Sequence, residues 1–233
     1  CRFCSVETLK KPALPELDEP EHLSDAVERM NLDHVVITVV NRDDMPDGGA
    51  DHYRRCVAAV HARRPATSIE LLSSDLAGNR EALSHLLHET PLAVFAHNVE
   101  CVPRLDKDVR DPRASFQQSL QILRWARELA PQVVTKSSLM VGLGETDDEV
   151  VEALKLLRTA EVELLTIGQY LTPGKPGERF LPVARYVPPE TFDAWTTTAY
   201  DLGFRGVAAG PLVRSSYRAA ELLSAARAGR IER

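Results

Sequence analysis

Short apolar runs and helical apolar stripes alternate along almost the whole chain. His34 to Val40 is a continuous, β-branched run, the pattern of a strand buried on both faces. Ser68–Leu72, Leu92–His97, Val133–Val141, Val162–Tyr170 and Arg205–Ala209 repeat it. Between these runs the apolar positions recur at helical spacing. Leu23, Ala26, Val27 and Met30 mark a helix over 21–31; Tyr53, Cys56, Val57 and Val60 mark one over 50–63. Further helices are predicted over 80–88, 113–130, 146–160, 188–202 and 217–228. Thr146-Asp-Asp-Glu149 has the spacing of a capping box, and Gly203 suits a left-handed position closing the sixth helix. Residues 9–20, rich in Pro and Leu, read as a loop.

Six strands separated by helices predict an α/β fold. Right-handed crossovers make the sheet parallel, closed or partly closed into a barrel. No linker or low-complexity segment interrupts residues 1–233, which read as one domain. In such folds ligands gather at the C-terminal ends of the strands. The polar clusters fall there: Asn41–Gly49, Ser73–Asn79, His97–Arg104, Lys136-Ser137, Gly142–Thr146, Gln169–Gly174 and Gly210–Tyr217.

Composition changes this picture little. The chain has 233 residues, 44% hydrophobic and 27% charged, with a formal net charge of −6. A mildly acidic surface does not favour nucleic acid or an anionic membrane as partner. No apolar run approaches the roughly 18 residues that span a bilayer. Four cysteines do not make a disulfide framework, but two of them, Cys1 and Cys4, form a Cys-x-x-Cys pair at the very start. That spacing fits an iron–sulfur cluster, zinc or a dithiol redox pair.

Other residues carry candidate chemistry. Asp47-Gly48-Gly49 follows a buried strand; glycines there allow close backbone approach to a ligand, or make a plain turn. Asn98 and Glu100, two apart in extended chain, point the same way, which turns His97 to the wall. Lys136 and Ser137 interrupt an apolar strand, and a buried lysine needs an anion, either a cofactor carboxylate or Glu100. Gln169 ends a strand, where its amide meets a ligand or the backbone. Arg104 either binds a carboxylate or makes a surface ion pair. Gly142–Gly144 lacks the Gly-Lys-Thr ending of a phosphate loop and reads as a helix cap. Cys56 lies on an apolar helix face and belongs to the core; Cys101 is a spare thiol after Glu100.

Cys1-Arg2-Phe3-Cys4 resembles the second half of the radical-SAM motif, Cys-x-x-x-Cys-x-x-Cys with an aromatic before the last cysteine. Longer stretches narrow the resemblance to the lipoyl synthases. They are Arg42–Gly49, Ala96–Glu100, Val102–Arg104, Thr135–Thr146, Gly168–Leu171 and Gly210–Tyr217, in the family's order and across most of the chain. The resemblance implies a partial (β/α) barrel of radical-SAM type and insertion of two sulfur atoms at C6 and C8 of an octanoyl chain. It implies two [4Fe–4S] clusters, one binding S-adenosylmethionine and one an auxiliary sulfur donor. Cys1 and Cys4 would ligate the first and Ser216, rather than Ser215, the second, with Ser216 leaving as that cluster is dismantled. Phe3, Asp47, Gly48, Gly49, Asn98, Glu100, Lys136, Ser137 and Gln169 would contact the cofactor. Asp47-Gly48-Gly49 would hold its methionyl amino group, and an apolar barrel interior would take the octanoyl tail.

The implied partners are an octanoylated lipoyl carrier domain, either a 2-oxoacid dehydrogenase acyltransferase subunit or a glycine-cleavage H protein, and an electron donor such as flavodoxin or ferredoxin. The implied location is the cytoplasm, with room for a targeting segment upstream. Another radical-SAM sulfur inserter, such as a biotin synthase or a methylthiolating enzyme, and a zinc-binding module are the alternatives. The chain departs from the family in lacking the first motif cysteine, the auxiliary-cluster cysteines and the first barrel strand, so it reads as an excerpt of a longer polypeptide. Ser73–Leu76 and Thr8–Lys10 also depart from the family pattern.

Overall fold

A computed structural model describes residues 1–9, 11–174 and 178–228. Lys10, in the Thr8–Lys10 departure, and the tail's residues 229–233 lie outside the described residues. Six strands, β1 (His34–Thr38), β2 (Ser68–Leu72), β3 (Val94–Ala96), β4 (Val134–Val141), β5 (Leu164–Gln169) and β6 (Gly206–Gly210), pair in chain order. Every pairing is parallel. The helices are α1 (Glu19–Arg29), α2 (Ala50–Arg63), α3 (Arg80–Leu87), α4 (Asp106–Val109), α5 (Phe116–Leu129), α6 (Asp147–Thr159), α7 (Pro189–Asp201) and α8 (Ala219–Ala228). Among the described residues no helix is long and apolar enough to cross a membrane.

The sheet is open between β1 and β6, so β1 has one strand neighbour. Its residues are consequently only partly buried, against the expectation of a strand covered on both faces. The single turn of α4 was not legible in the sequence, being too short to show periodicity. Capping is as expected: Thr146 and Glu149 form both halves of the box, and Gly203 has φ +96° after α7.

Strand alternation sorts the side chains. Ile69, Leu71, Phe95, Leu139, Val141, Leu165 and Ile167 face the helices and join the two large cores. The opposite, lumen face carries Val94, Val134 and Leu164 at its base, and there Leu222, Leu223 and Ala226 of α8 pack on them. Gly206 makes room: a Cβ there would lie 2.8 Å from Leu164 and 3.2 Å from the Leu222 carbonyl. The C-terminal segment therefore plugs the barrel base.

Higher in the lumen the lining is polar. Lys136 Nζ donates to Glu70 Oε1 at 2.7 Å, with both side chains 1% exposed. His34 Nε2 lies 3.9 Å from the other Glu70 oxygen, and its Nδ1 is 2.7 Å from Ser68 Oγ. Burial pushes Glu70 above its ordinary value, against the pull of Lys136, and holds His34 below its own, with Lys136 adding to the effect. One layer up, Thr166 donates to Ser138 at 2.8 Å. The partner of Lys136 is thus Glu70 and not Glu100, and the interior is not the apolar tube expected. Periodicity marks which residues face inward but not which inward groups pair across strands.

Removing one member of the buried pair is expected to cost about 3–5 kcal/mol, because the survivor is left uncompensated. Lys136→Met or Glu70→Leu alone should lower the urea midpoint, and the double substitution should recover most of the loss; a double variant as weak as either single would refute this account.

At the start of α6, Arg104 donates to both Glu149 oxygens, at 2.5 and 2.9 Å. Arg104, and then the Thr146 N–H, hold the Glu149 carboxyl down to about 2, from an ordinary 4.5. A depressed folded pKa gives stability that is full above the unfolded value and lost as pH falls through the folded one. Between about pH 5 and about pH 2 the wild type should therefore lose more thermal stability than Glu149→Gln. Parallel melting curves for the two would show that the clamp contributes nothing.

Candidate active site

The N-terminal cysteines sit on a turn closed by Cys4 N–H donating to the Cys1 carbonyl at 3.4 Å. Cys1 is exposed, Cys4 half-buried, and both thiols are free. Two segments pin this turn from opposite sides. On one, Arg2 N–H donates to the Val109 carbonyl at 2.8 Å, and Asp111 N–H donates to Cys1 Sγ at 3.3 Å. On the other, Leu181 N–H donates to the Arg2 carbonyl at 3.1 Å, and Arg179 donates to the carbonyls of Cys4 and Val6, each at 3.1 Å. Phe3 between the thiols packs against the core.

Phe3 also forms one wall of a cavity of about 240 Å³ at the C-terminal ends of β3, β4 and β5. Asn98 and Glu100 line it just after β3, Ser138 and Met140 from β4, and Gly168 and Gln169 from the end of β5, with Leu171 just beyond. Val213, Arg214 and Ser215 complete it from the tail. Glu100 has φ +70°, a left-handed conformation that a non-glycine residue holds at a cost of about 1–3 kcal/mol. The backbone keeps it there: Glu100 N–H donates to the Ser138 carbonyl at 3.2 Å, and its carbonyl accepts from Met140 N–H at 2.9 Å. From the outer face, Ser137 Oγ accepts the Val99 N–H at 3.3 Å. Burial pushes the Glu100 carboxyl above its ordinary value, opposed by Arg110 and by a hydrogen bond from Asn98. Asn98 and Glu100 thus share one cavity, although the left-handed turn at Glu100 is not the extended chain assumed for them.

The tail reaches the cavity through a close approach at β5. A Cβ on Gly168 would lie 2.2 Å from the Val213 carbonyl, so only glycine admits the tail there. A lone glycine inside a strand is a sequence signal for such an approach, and it could have marked this position. Ser215 lines the cavity and is half-buried, whereas Ser216 is exposed beside it.

Of the remaining expected residues, Gln169 also lines this cavity and the others do not. Asp47 accepts the N–H groups of Gly49 at 3.0 Å and Asp51 at 2.9 Å, at the start of α2. Burial raises its carboxyl, but these bonds outweigh burial and leave it below its ordinary value. Gly48 and Gly49 have φ +63° and +91°, and a Cβ on Gly49 would collide with the Tyr53 ring. Gln169 is fully engaged by backbone: its Nε2 donates to the carbonyls of Tyr170 and Arg185, and its Oε1 accepts from Val187 N–H. Lys136 lies a layer below the cavity and Ser137 faces outward. His97 is a wall residue, held between Ser73 and Ser119 at 2.9 Å each. Arg104 makes the surface ion pair. Cys56 and Cys101 are buried. A larger furrow of about 560 Å³ runs between α1 and α2, lined by groups such as Arg55, Ala59 and Arg63; it is remote from the strand ends.

Among the described residues no three metal-ligating side chains converge. Cys1 and Cys4 offer two soft sulfur donors side by side, one exposed and one half-buried, and this pair fits part of the ligand set of an iron–sulfur cluster. A closed structural zinc site would need two further ligands.

The geometry agrees with likeness to known proteins. A model of the Radical SAM superfamily matches residues 1–157. Lipoyl synthase of Halorhodospira halophila is 52% identical over 223 residues, 96% of this chain and 66% of that protein. Lipoyl synthase of Thermus thermophilus is 48% identical over 219 residues, 94% of this chain and 67% of that protein. The chain thus spans about two thirds of the length of these relatives. A crystal structure of methylornithine synthase superposes with a TM-score of 0.65 at 14% identity, covering 89% of this chain and 59% of that one, a likeness of fold. The chain belongs to the radical SAM superfamily and, within it, to the lipoyl synthase family.

Proposed function

We propose that this chain is the barrel of a lipoyl synthase that inserts two sulfur atoms, at C6 and C8, into an octanoyl chain carried on a lipoyl domain. The observation that carries the reading is the convergence of Phe3 from the Cys1–Cys4 turn, Asn98 and Glu100 from the segment after β3, and Arg214 and Ser215 from the tail around one cavity. Three segments far apart in sequence meet there, and each bears one of the motifs shared with the family.

Cys1 and Cys4 would hold a [4Fe–4S] cluster, and Ser216 would contribute to an auxiliary one. When bound, the clusters and S-adenosylmethionine supply an electron, a hydrogen-abstracting carbon radical and sulfide. The chain's own part is to bind, orient and exclude water. Asn98 and Glu100 face the cavity and are the residues to grip the polar groups of S-adenosylmethionine, while Phe3 walls it off. Ser137 and Lys136 act from behind and below, holding the Asn98–Glu100 strand end and the floor. Gln169 keeps the 185–187 segment on β5. Asp47, Gly48 and Gly49 offer backbone groups at the end of β1, outside the cavity lined by Asn98 and Glu100. Because the lumen below the cavity is polar, the acyl chain belongs at the mouth, where Leu171 and Leu212 are exposed at 46% and 80%. The carrier would be a 2-oxoacid dehydrogenase acyltransferase subunit or a glycine-cleavage H protein. The electrons would come from flavodoxin or ferredoxin, in the cytoplasm.

The test is anaerobic reconstitution of the natural polypeptide with iron and sulfide, followed by assay with octanoyl peptide. S-adenosylmethionine cleavage and a doubly thiolated product are expected; cleavage without sulfur transfer would assign the chain to another radical-SAM reaction. Ser216→Ala should keep cleavage and lose sulfur insertion. Should Ser215→Ala behave that way while Ser216→Ala makes product normally, the auxiliary ligand is Ser215, the serine that lines the cavity. Glu100→Gln removes a charged acceptor, a loss of about 1.5–3 kcal/mol. Equilibrium binding should show S-adenosylmethionine held roughly 10- to 150-fold more weakly; unchanged affinity would take Glu100 out of the binding site.

A further inference from the structure

One buried cation lies behind the Asn98–Glu100 segment, on the helix-facing side. Arg110, directly after α4, is 7% exposed. Its Nη1 donates to the Val99 carbonyl at 3.2 Å and to Ser119 Oγ at 3.0 Å, and Asp106 lies 3.9 Å away. Ser119 is in turn tied to His97. Nδ1–H of His97 donates to the Ser73 carbonyl, which leaves Nε2 to accept the Ser119 hydroxyl proton. Burial holds His97 below its ordinary value, in keeping with this neutral form. A guanidinium buried this way stays only if several groups fix it, so the backbone on either side of it is held as well.

That backbone touches the cysteine turn twice. The residue before Arg110 accepts the Arg2 N–H through its carbonyl, and the residue after it, Asp111, donates its N–H to Cys1 sulfur. The same guanidinium grips Val99, between Asn98 and Glu100. One charge therefore registers the cofactor-facing pair against the thiolate turn.

We propose that Arg110 is a positioning residue that sets the Val109–Asp111 strap, and that the Asp111 N–H on Cys1 sulfur raises the reduction potential of the cluster bound there. This rests on the reading of Cys1 as a cluster ligand. An N–H pointed at a cluster sulfur stabilises the more negative, reduced state, and hydrogen bonds to sulfur are among the levers that set such potentials.

The experiment is a redox titration of the natural polypeptide, reconstituted anaerobically. It follows the paramagnetic resonance signal of the reduced cluster that shifts when S-adenosylmethionine is added. Asp111→Pro deletes the N–H together with the carboxylate that accepts from Arg113, and Asp111→Ala is the control that loses the carboxylate only; Arg110, at φ −97° and ψ 167°, already has the extended backbone that a following proline requires. Its midpoint should fall by a tenfold shift in the one-electron equilibrium, about 59 mV. Asp111→Ala, which keeps the N–H, should match the wild type. Arg110→Gln should move the midpoint downward at unchanged iron content, and Arg110→Lys should move it less. A fully loaded Asp111→Pro protein with the wild-type midpoint overturns the proposal, and an unmoved midpoint in Arg110→Gln removes Arg110 from it. A wild type that takes up no cluster overturns the functional reading together with the proposal, whereas the other failures leave that reading intact.

Discussion

The Lys136–Glu70 pair is the constraint around which the barrel is built. It joins β4 to β2 across the intervening β3, and so ties together strands that are not neighbours. Two charges out of water are held by one 2.7 Å contact, and the geometry must be kept for the pair to be tolerated at all. A cross-link spanning three strands on the concave side favours a curved sheet over a flat one. It also gives the lumen a polar floor, above which Ser138 and Thr166 form a further polar layer. The cavity at the strand ends stands on that floor.

Above the floor, the site is assembled from parts that do not touch in sequence. The cysteine turn is held by backbone bonds from segments on two sides, the Glu100 strand end is held in a left-handed turn by β4, and the tail enters against Gly168. Main-chain groups carry most of these contacts, with the Arg179 side chain added at the cysteine turn, and the side chains of Asn98, Glu100 and Ser215 line the cavity. Such a division lets the walls be rigid without using the groups that face a ligand.

Much of this was legible in the sequence. Six strands and their intervening helices follow from the alternation of short, continuous apolar runs with apolar stripes at helical spacing. Asn98 and Glu100 are legible as a polar pair after a strand, whereas Phe3 and the Arg214–Tyr217 tail point to the site only through the family resemblance, which favours Ser216 while the cavity is lined by Ser215. The partner of Lys136 was not legible, since Glu70 is distant in sequence and its selection depends on sheet curvature. Gln169 and Asp47 show the opposite limit: a polar residue in a loop or at a strand end looks the same whether or not its polar atoms are spent on neighbouring backbone groups. Arg110 is not legible in the sequence, because nothing local distinguishes a buried arginine from a surface one.

The C-terminal helix occupying the barrel base has a consequence for the order of assembly. The surface that α8 covers, Val94, Val134 and Leu164, belongs to strands completed long before α8 leaves the ribosome. Until then the lumen stands open at its base, with apolar side chains in contact with water. Closure is a late, long-range event, the kind of contact that slows folding and prolongs exposure to aggregation. The segment that brings serine to the mouth is continuous with the segment that seals the base, so a barrel still waiting for its plug is also a barrel without its site.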